Sequence, residues 1–245
     1  MRLRCPSPAP LLAVVIAGLM GVCTAAPLVL NNVADRPYTR EDGSGFLEQI
    51  TREVFRRAGA EFKLVRLPPE RGLRAANEGQ IDGELVRVAG LDAIYPDLVR
   101  VPESHVTWRF SAFTRRQDIN MAGTLRLDAY AVGIQRGSKI LEATATGARE
   151  IIYAHDRTQL FRLLEHNRVD MVFYSELMGL EHIRAGRLED VKLLQPPLAT
   201  REMFIYLHRR HSWLVPALAA ALRSVKADGT YARLLPADTV LPETR

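Results

Sequence analysis

Apolar positions along this chain repeat in strand-like and helix-like rhythms that follow one another. Leu28-Val29-Leu30 is a short apolar run that predicts a strand. Phe46, Leu47, Ile50, Val54 and Phe55 then recur at helical spacing with Glu48, Arg52 and Arg56 opposite, so an amphipathic helix ending at Gly59 is expected. Phe62 to Leu67 alternates until Pro68-Pro69 stops it, and a helix from about Glu70 to Glu78 follows. Ile81 to Arg87 returns to a strand pattern. The rhythm restarts later. Ala131, Val132 and Ile134 form an apolar run ahead of a helix-compatible segment, and Ile151 to Tyr153 is a further strand. Asp156 stands as N-cap before Leu160, Phe161, Leu163 and Leu164. Val169 to Tyr174 is nearly continuously apolar, as in a sheet covered on both faces. A helix is expected from Ser175 to about Ala185, and an amphipathic helix over Ser212 to Leu222.

Strands alternating with helices imply mostly parallel sheets with helices on their faces. The alternation occurs twice, once before His105 and once after Gly123. Two long stretches, His105 to Arg115 and Glu202 to His208, are rich in aromatic and β-branched residues and are candidates to pass between the two units. The expected architecture is α/β, with two α/β lobes joined by two hinge strands. Lobe 1 is 26–107 plus 205–245, and lobe 2 is 108–204. A ligand would sit between them, at the carboxyl ends of the strands.

The first residues change the setting. Basic residues, the run Leu11 to Val22 and then Cys-Thr-Ala-Ala make a secretory signal peptide, 1–25, with cleavage expected after Ala25. Met20-Gly21-Val22 before Cys23 fits a lipidation signal poorly. Cys5 and Cys23 both lie in the removed segment, so the exported chain is expected to rely on its core instead of disulfides. Losing Arg2 and Arg4 lowers the formal charge from +5 to +3. That mild excess, without a basic block interleaved with aromatics, argues against nucleic acid as a partner. The scattered histidines offer no metal site, and neither a nucleophile elbow nor a phosphate loop is present. No cofactor is expected.

The candidate chemistry centres on Arg136-Gly137-Ser138-Lys139, read as strand, tight turn, helix. Gly137 allows the turn, Ser138 can cap the helix, and the free amides plus Arg136 and Lys139 suit a small anion such as a carboxylate. An ordinary capped turn is the competing reading. Tyr38, beside Pro37 in a loop, can stack on a ligand or simply lie at the surface. Arg71 sits in the first turn of its helix, where a cation opposes the dipole unless an anion is near.

Several short motifs in order resemble the periplasmic solute-binding proteins of family 3, the polar amino acid class with the type II periplasmic binding protein fold. They are Pro37-Tyr38, Gly45-Phe46, Phe55 to Gly59, Leu67-Pro68-Pro69 with Arg71, Gly79 to Gly83, Val132 to Ser138, Asn167 to Val172, and the closing segment Leu218 to Tyr231. The resemblance covers nearly the whole mature chain. It implies a ligand carboxylate held by an arginine of the first lobe, for which Arg87 is the nearest candidate, and by Gly137 and Ser138. It implies an acidic partner for the ligand ammonium, yet that position falls on Ser175, with Glu176 after it, and serine supplies no counter-charge. Trp108 and Tyr174 are expected to line the pocket. The expected ligand is a small polar or carboxylate-bearing solute, and the expected partners are an ABC-transporter permease or a membrane sensor, with the chain a monomer in the periplasm. An enzyme of dehydratase type using Glu84 or Glu176, and an accessory protein acting through a partner, are the alternatives.

Overall fold

The computed structural model describes residues 26–121 and 126–235. The signal peptide and the expected unit start at Ala122-Gly123-Thr124 lie outside the described residues. The first unit contains β1 (Leu28–Asn31), α1 (Phe46–Arg57), β2 (Phe62–Val65), α2 (Pro69–Asn77), β3 (Gly83–Val88) and β4 (Leu98–Arg100). β5 (Val106–Thr114) leads out of it. The second unit contains β6 (Ala131–Gln135), α3 (Lys139–Thr144), β7 (Glu150–Ala154), α4 (Arg157–Glu165), β8 (Met171–Ser175), α5 (Glu176–Gly186) and β9 (Lys192–Leu193). β10 (Ala199–His208) leads back, and α6 (Val215–Ala227) and α7 (Thr230–Leu234) close the described chain.

The strands run in the order β2-β1-β3-β10-β5-β8-β6-β7, with β4 on β10 and β9 on β5. β1, β2 and β3 are parallel to one another, as are β6, β7 and β8. Only the two long strands run against their neighbours. The hydrogen-bond ladder is unbroken, so β5 and β10 are the middle of one sheet and not connectors outside it. The register shows how. Ala199 to Met203 of β10 face Phe110 to Val106 of β5, after which β10 continues along β3 while β5 continues along β8. Each long strand thus spends one half in each unit, and the two cross as an antiparallel ribbon.

The core follows the predicted faces. Phe46, Leu47, Ile50, Val54 and Phe55 of α1 are all buried, as are Met171 to Tyr174 of β8. α1 and α6 pack together on one side, and α4 covers β6, β7 and β8 on the other unit. Asp156 caps α4 as expected, its Oδ1 accepting from the Gln159 amide at 2.7 Å. Asp156→Ala should lower stability by about 1 kcal/mol. That corresponds to a fall in Tm of roughly 2–4 °C for a chain of this size, measured by circular dichroism.

Candidate functional site

The two units meet where the β6–α3 turn touches the start of α2. Gly137 has φ +84°, and a Cβ there would overlap the Glu70 backbone nitrogen and lie 2.8 Å from its Cα. Glycine is needed both for the left-handed backbone and for the close approach. Beside it, Lys139 Nζ bridges Glu70 Oε2 at 2.8 Å and Glu142 Oε2 at 3.1 Å. A second ion pair, Arg157 Nη1 to Asp35 at 3.2 Å, also spans the seam.

The turn does not present the free anion cradle expected of it. The Gly137 amide donates to Glu142 Oε1 at 2.8 Å, and Ser138 makes no capping hydrogen bond with its side chain. Glu142, one helical turn on, reaches back and satisfies the amide that a ligand carboxylate would use. Ser138 does face the seam cavity, and Lys139, the other cation of the motif, is spent on Glu70 and Glu142. Arg136 points elsewhere: it is exposed, with its guanidinium 4.5 Å from the centre of the Tyr153 ring. Arg71 is exposed on α2 and lines neither seam cavity.

Arg87 lines the seam cavity but is largely engaged. Its Nε donates to Glu84 Oε2 at 2.8 Å and its Nη2 to the Pro69 carbonyl at 2.8 Å. Glu84 is fully buried and also accepts from Asn31 Nδ2 at 3.0 Å. Burial raises the Glu84 pKa, with the Arg87 charge and its hydrogen bonds opposing that shift. Glu176 is likewise occupied, accepting from Ser111 Oγ at 2.6 Å and pairing with Arg109 at 3.3 Å. Neither glutamate lines a seam cavity.

Six of the nine expected ligand residues do converge. Arg87, Trp108, Gly137, Ser138, Tyr174 and Ser175 line one cavity of about 60 Å³ between the units. Its other walls are mostly apolar, including Leu73, Val86, Phe110, Met178 and Met203. Sequence reasoning missed these, because an apolar residue facing a seam has the same local pattern as one facing the core. Tyr38 lines neither seam cavity. It is buried behind the site and stacks on Trp108, with ring centres 5.2 Å apart and planes 27° apart. Burial pushes the hydroxyls of Tyr38 and Tyr174 well above their ordinary range, so both stay protonated.

Two polar atoms stand out within this wall. Trp108 Nε1 and Ser175 Oγ are buried and have no hydrogen-bond partner. Ser175 precedes α5 but makes no cap bond with its side chain. Each such orphan is unfavourable by about 1–3 kcal/mol unless something enters to satisfy it. A second cavity of about 220 Å³ shares Val33, Pro69, Gln135 and Tyr174 with the first and is rimmed by Asp35, Arg66 and Arg157. A larger hollow of about 590 Å³ lies between α1 and β2, within the first unit. Its arginines and Lys63 are mostly exposed, and none of the expected residues reaches it, so the seam is the better candidate.

No known protein-family model matches the chain. A protein of Shewanella oneidensis without an assigned role is 24% identical over 197 residues, spanning 76% of this chain and 73% of that one. Solved structures resemble it more broadly. A histidine kinase sensor domain with similarity to periplasmic binding proteins superposes with TM-score 0.75 at 16% identity, covering 86% of this chain and 95% of that one. The arginine-, lysine-, histidine-binding protein ArtJ of Geobacillus stearothermophilus gives 0.71 at 16% identity, over 85% and 93%. The ligand-binding core of GluR0 from Nostoc punctiforme, in complex with L-glutamate, gives 0.70 at 16% identity, over 85% and 97%. The chain therefore has the type II periplasmic binding protein fold.

Proposed function

We propose that this chain is an exported solute-binding protein that captures a small solute between two lobes and passes the bound state to a membrane partner. The observation that carries this reading is the seam cavity, built from both units and lined by Trp108 and Ser175, whose Nε1 and Oγ are buried without a partner. The lobes divide where β5 and β10 cross, giving 26–107 plus 205–245 against 108–204. Opening would separate Lys139 from Glu70 and Arg157 from Asp35, and closure on a ligand would remake both pairs. The protein works as a monomer in the periplasm, and its partner is an ABC-transporter permease or a sensor. The likeness to a histidine kinase sensor domain supports a sensor, and the likeness to the substrate binding protein of an amino acid ABC transporter supports a permease.

A thermal-shift screen of amino acids, carboxylates, amides and amines tests this. A ligand at a hundredfold over its Kd adds about 2.7 kcal/mol of stability. That should raise Tm by roughly 5–10 °C. A flat screen across all four classes overturns the solute-binding reading and favours action through a protein partner.

A further inference from the structure

The charges around the seam cavity are already matched within the protein. Arg87 answers Glu84, Lys139 answers Glu70 and Glu142, and the Gly137 amide answers Glu142. Among the described residues, the wall atoms that are fully buried and lack a partner are uncharged: one indole N–H at Trp108 and one hydroxyl at Ser175, both on side chains more than nine-tenths buried. The rest of the lining is largely aliphatic or aromatic. A zwitterion entering here would bring a carboxylate to cations whose partners are already in place, and an ammonium to a wall with no free acid. Displacing the Arg87 pair would leave the fully buried Glu84 short of its partner, and an unpaired buried charge is far more unfavourable than an unpaired dipole.

From this, and resting on the solute-binding reading, we infer that the cavity selects a small uncharged solute with an apolar body and a carbonyl-type acceptor directed at Trp108 Nε1. Ser175 Oγ accepts from, or donates to, the same polar end of the ligand. An amide meets both needs, since it offers an acceptor to the indole and a donor to the hydroxyl. The indole is pre-positioned for this by its stack on Tyr38, so ordering it on binding adds little entropy loss. The cavity of about 60 Å³ holds only a few waters, which suits a compact solute around which the lobes reclose.

Two probe series of matched shape separate charge from size: isobutyramide, isobutyrate and valine, and benzamide, benzoate and phenylglycine. Binding is measured by titration calorimetry. Location is read from indole fluorescence in a Trp213→Phe background, where Trp108 is the remaining tryptophan of the chain. Trp213 is 68% exposed and is not among the residues that line the seam cavity. The expected result is that an amide binds at least tenfold more tightly than its two charged counterparts and shifts the Trp108 emission. Trp108→Phe, which keeps a ring against Tyr38 but lacks the N–H, should weaken that amide at least tenfold, and Ser175→Ala should weaken it severalfold. Tighter binding of a carboxylate or an amino acid overturns the uncharged-ligand assignment while leaving solute binding intact. Unchanged amide affinity in both variants overturns the assignment of the two orphan groups. Binding of no probe, with the Trp108 emission unmoved, overturns this inference, and only a flat thermal-shift screen in addition overturns the solute-binding reading.

Discussion

Replacing Arg87 by methionine should destabilise the protein by about 3–5 kcal/mol, the range for breaking one side of a buried ion pair. Both partners are buried, Glu84 completely and Arg87 to 5% exposure, so solvent does little to screen the loss. Among the described residues the substitution leaves Glu84 with Asn31 as its hydrogen-bonding side chain, and it frees the Pro69 carbonyl as well. The effect depends on pH in a definite direction. Burial already raises the Glu84 pKa, and removing Arg87 takes away the charge that opposes the rise. A carboxyl with a raised folded-state pKa binds its proton more tightly folded than unfolded, so its unfavourable contribution grows as pH rises through that folded pKa. The gap between Arg87→Met and the parent should therefore be larger at pH 8 than at pH 5. Urea unfolding at the two pH values measures it. A gap that widens towards pH 5 would contradict this account of Glu84. The double variant Glu84→Gln with Arg87→Met should recover part of the loss, because no buried charge then lacks a partner.

Gly137→Ala should hold the two units apart. The residue has φ +84°, where an alanine costs roughly 1–2 kcal/mol through backbone strain. The new methyl would also overlap the Glu70 amide across the seam, and neither atom is the tip of a flexible side chain. Relief comes most simply from separating the units, which also breaks the Lys139–Glu70 contact. We expect a larger radius of gyration by small-angle X-ray scattering and a red-shifted Trp108 emission in the Trp213→Phe background. Affinity for any seam ligand should fall at least tenfold. An unchanged radius and unchanged emission would mean that the turn is accommodated locally and that closure does not depend on it.

Much of the architecture was legible from local pattern. The α1 stripe, the two-sided β8 and the Asp156 cap follow from periodicity and capping chemistry within about a dozen residues, and each occurs as expected. The alternation of strands and helices also pointed to parallel units. The crossing strands are recognisable by length and aromatic content, although β10 begins three residues earlier than expected and the ladder through β5 and β10 is continuous.

The site was legible only in outline. Trp108, Tyr174, Ser175, Arg87 and the Gly137-Ser138 turn do share one cavity, but whether each is free to meet a ligand depends on residues distant in the chain. Arg87 is held partly by the Pro69 carbonyl, Lys139 by Glu70, and Tyr38 is turned onto Trp108 instead of into the cavity. Hydrophobic rhythm and capping act between near neighbours, so elements and their faces can be read along the chain. Charge pairing and burial act between whichever groups the fold brings within a few ångströms. Which polar groups are satisfied, and which remain open at the seam, was therefore settled only when the two units packed together.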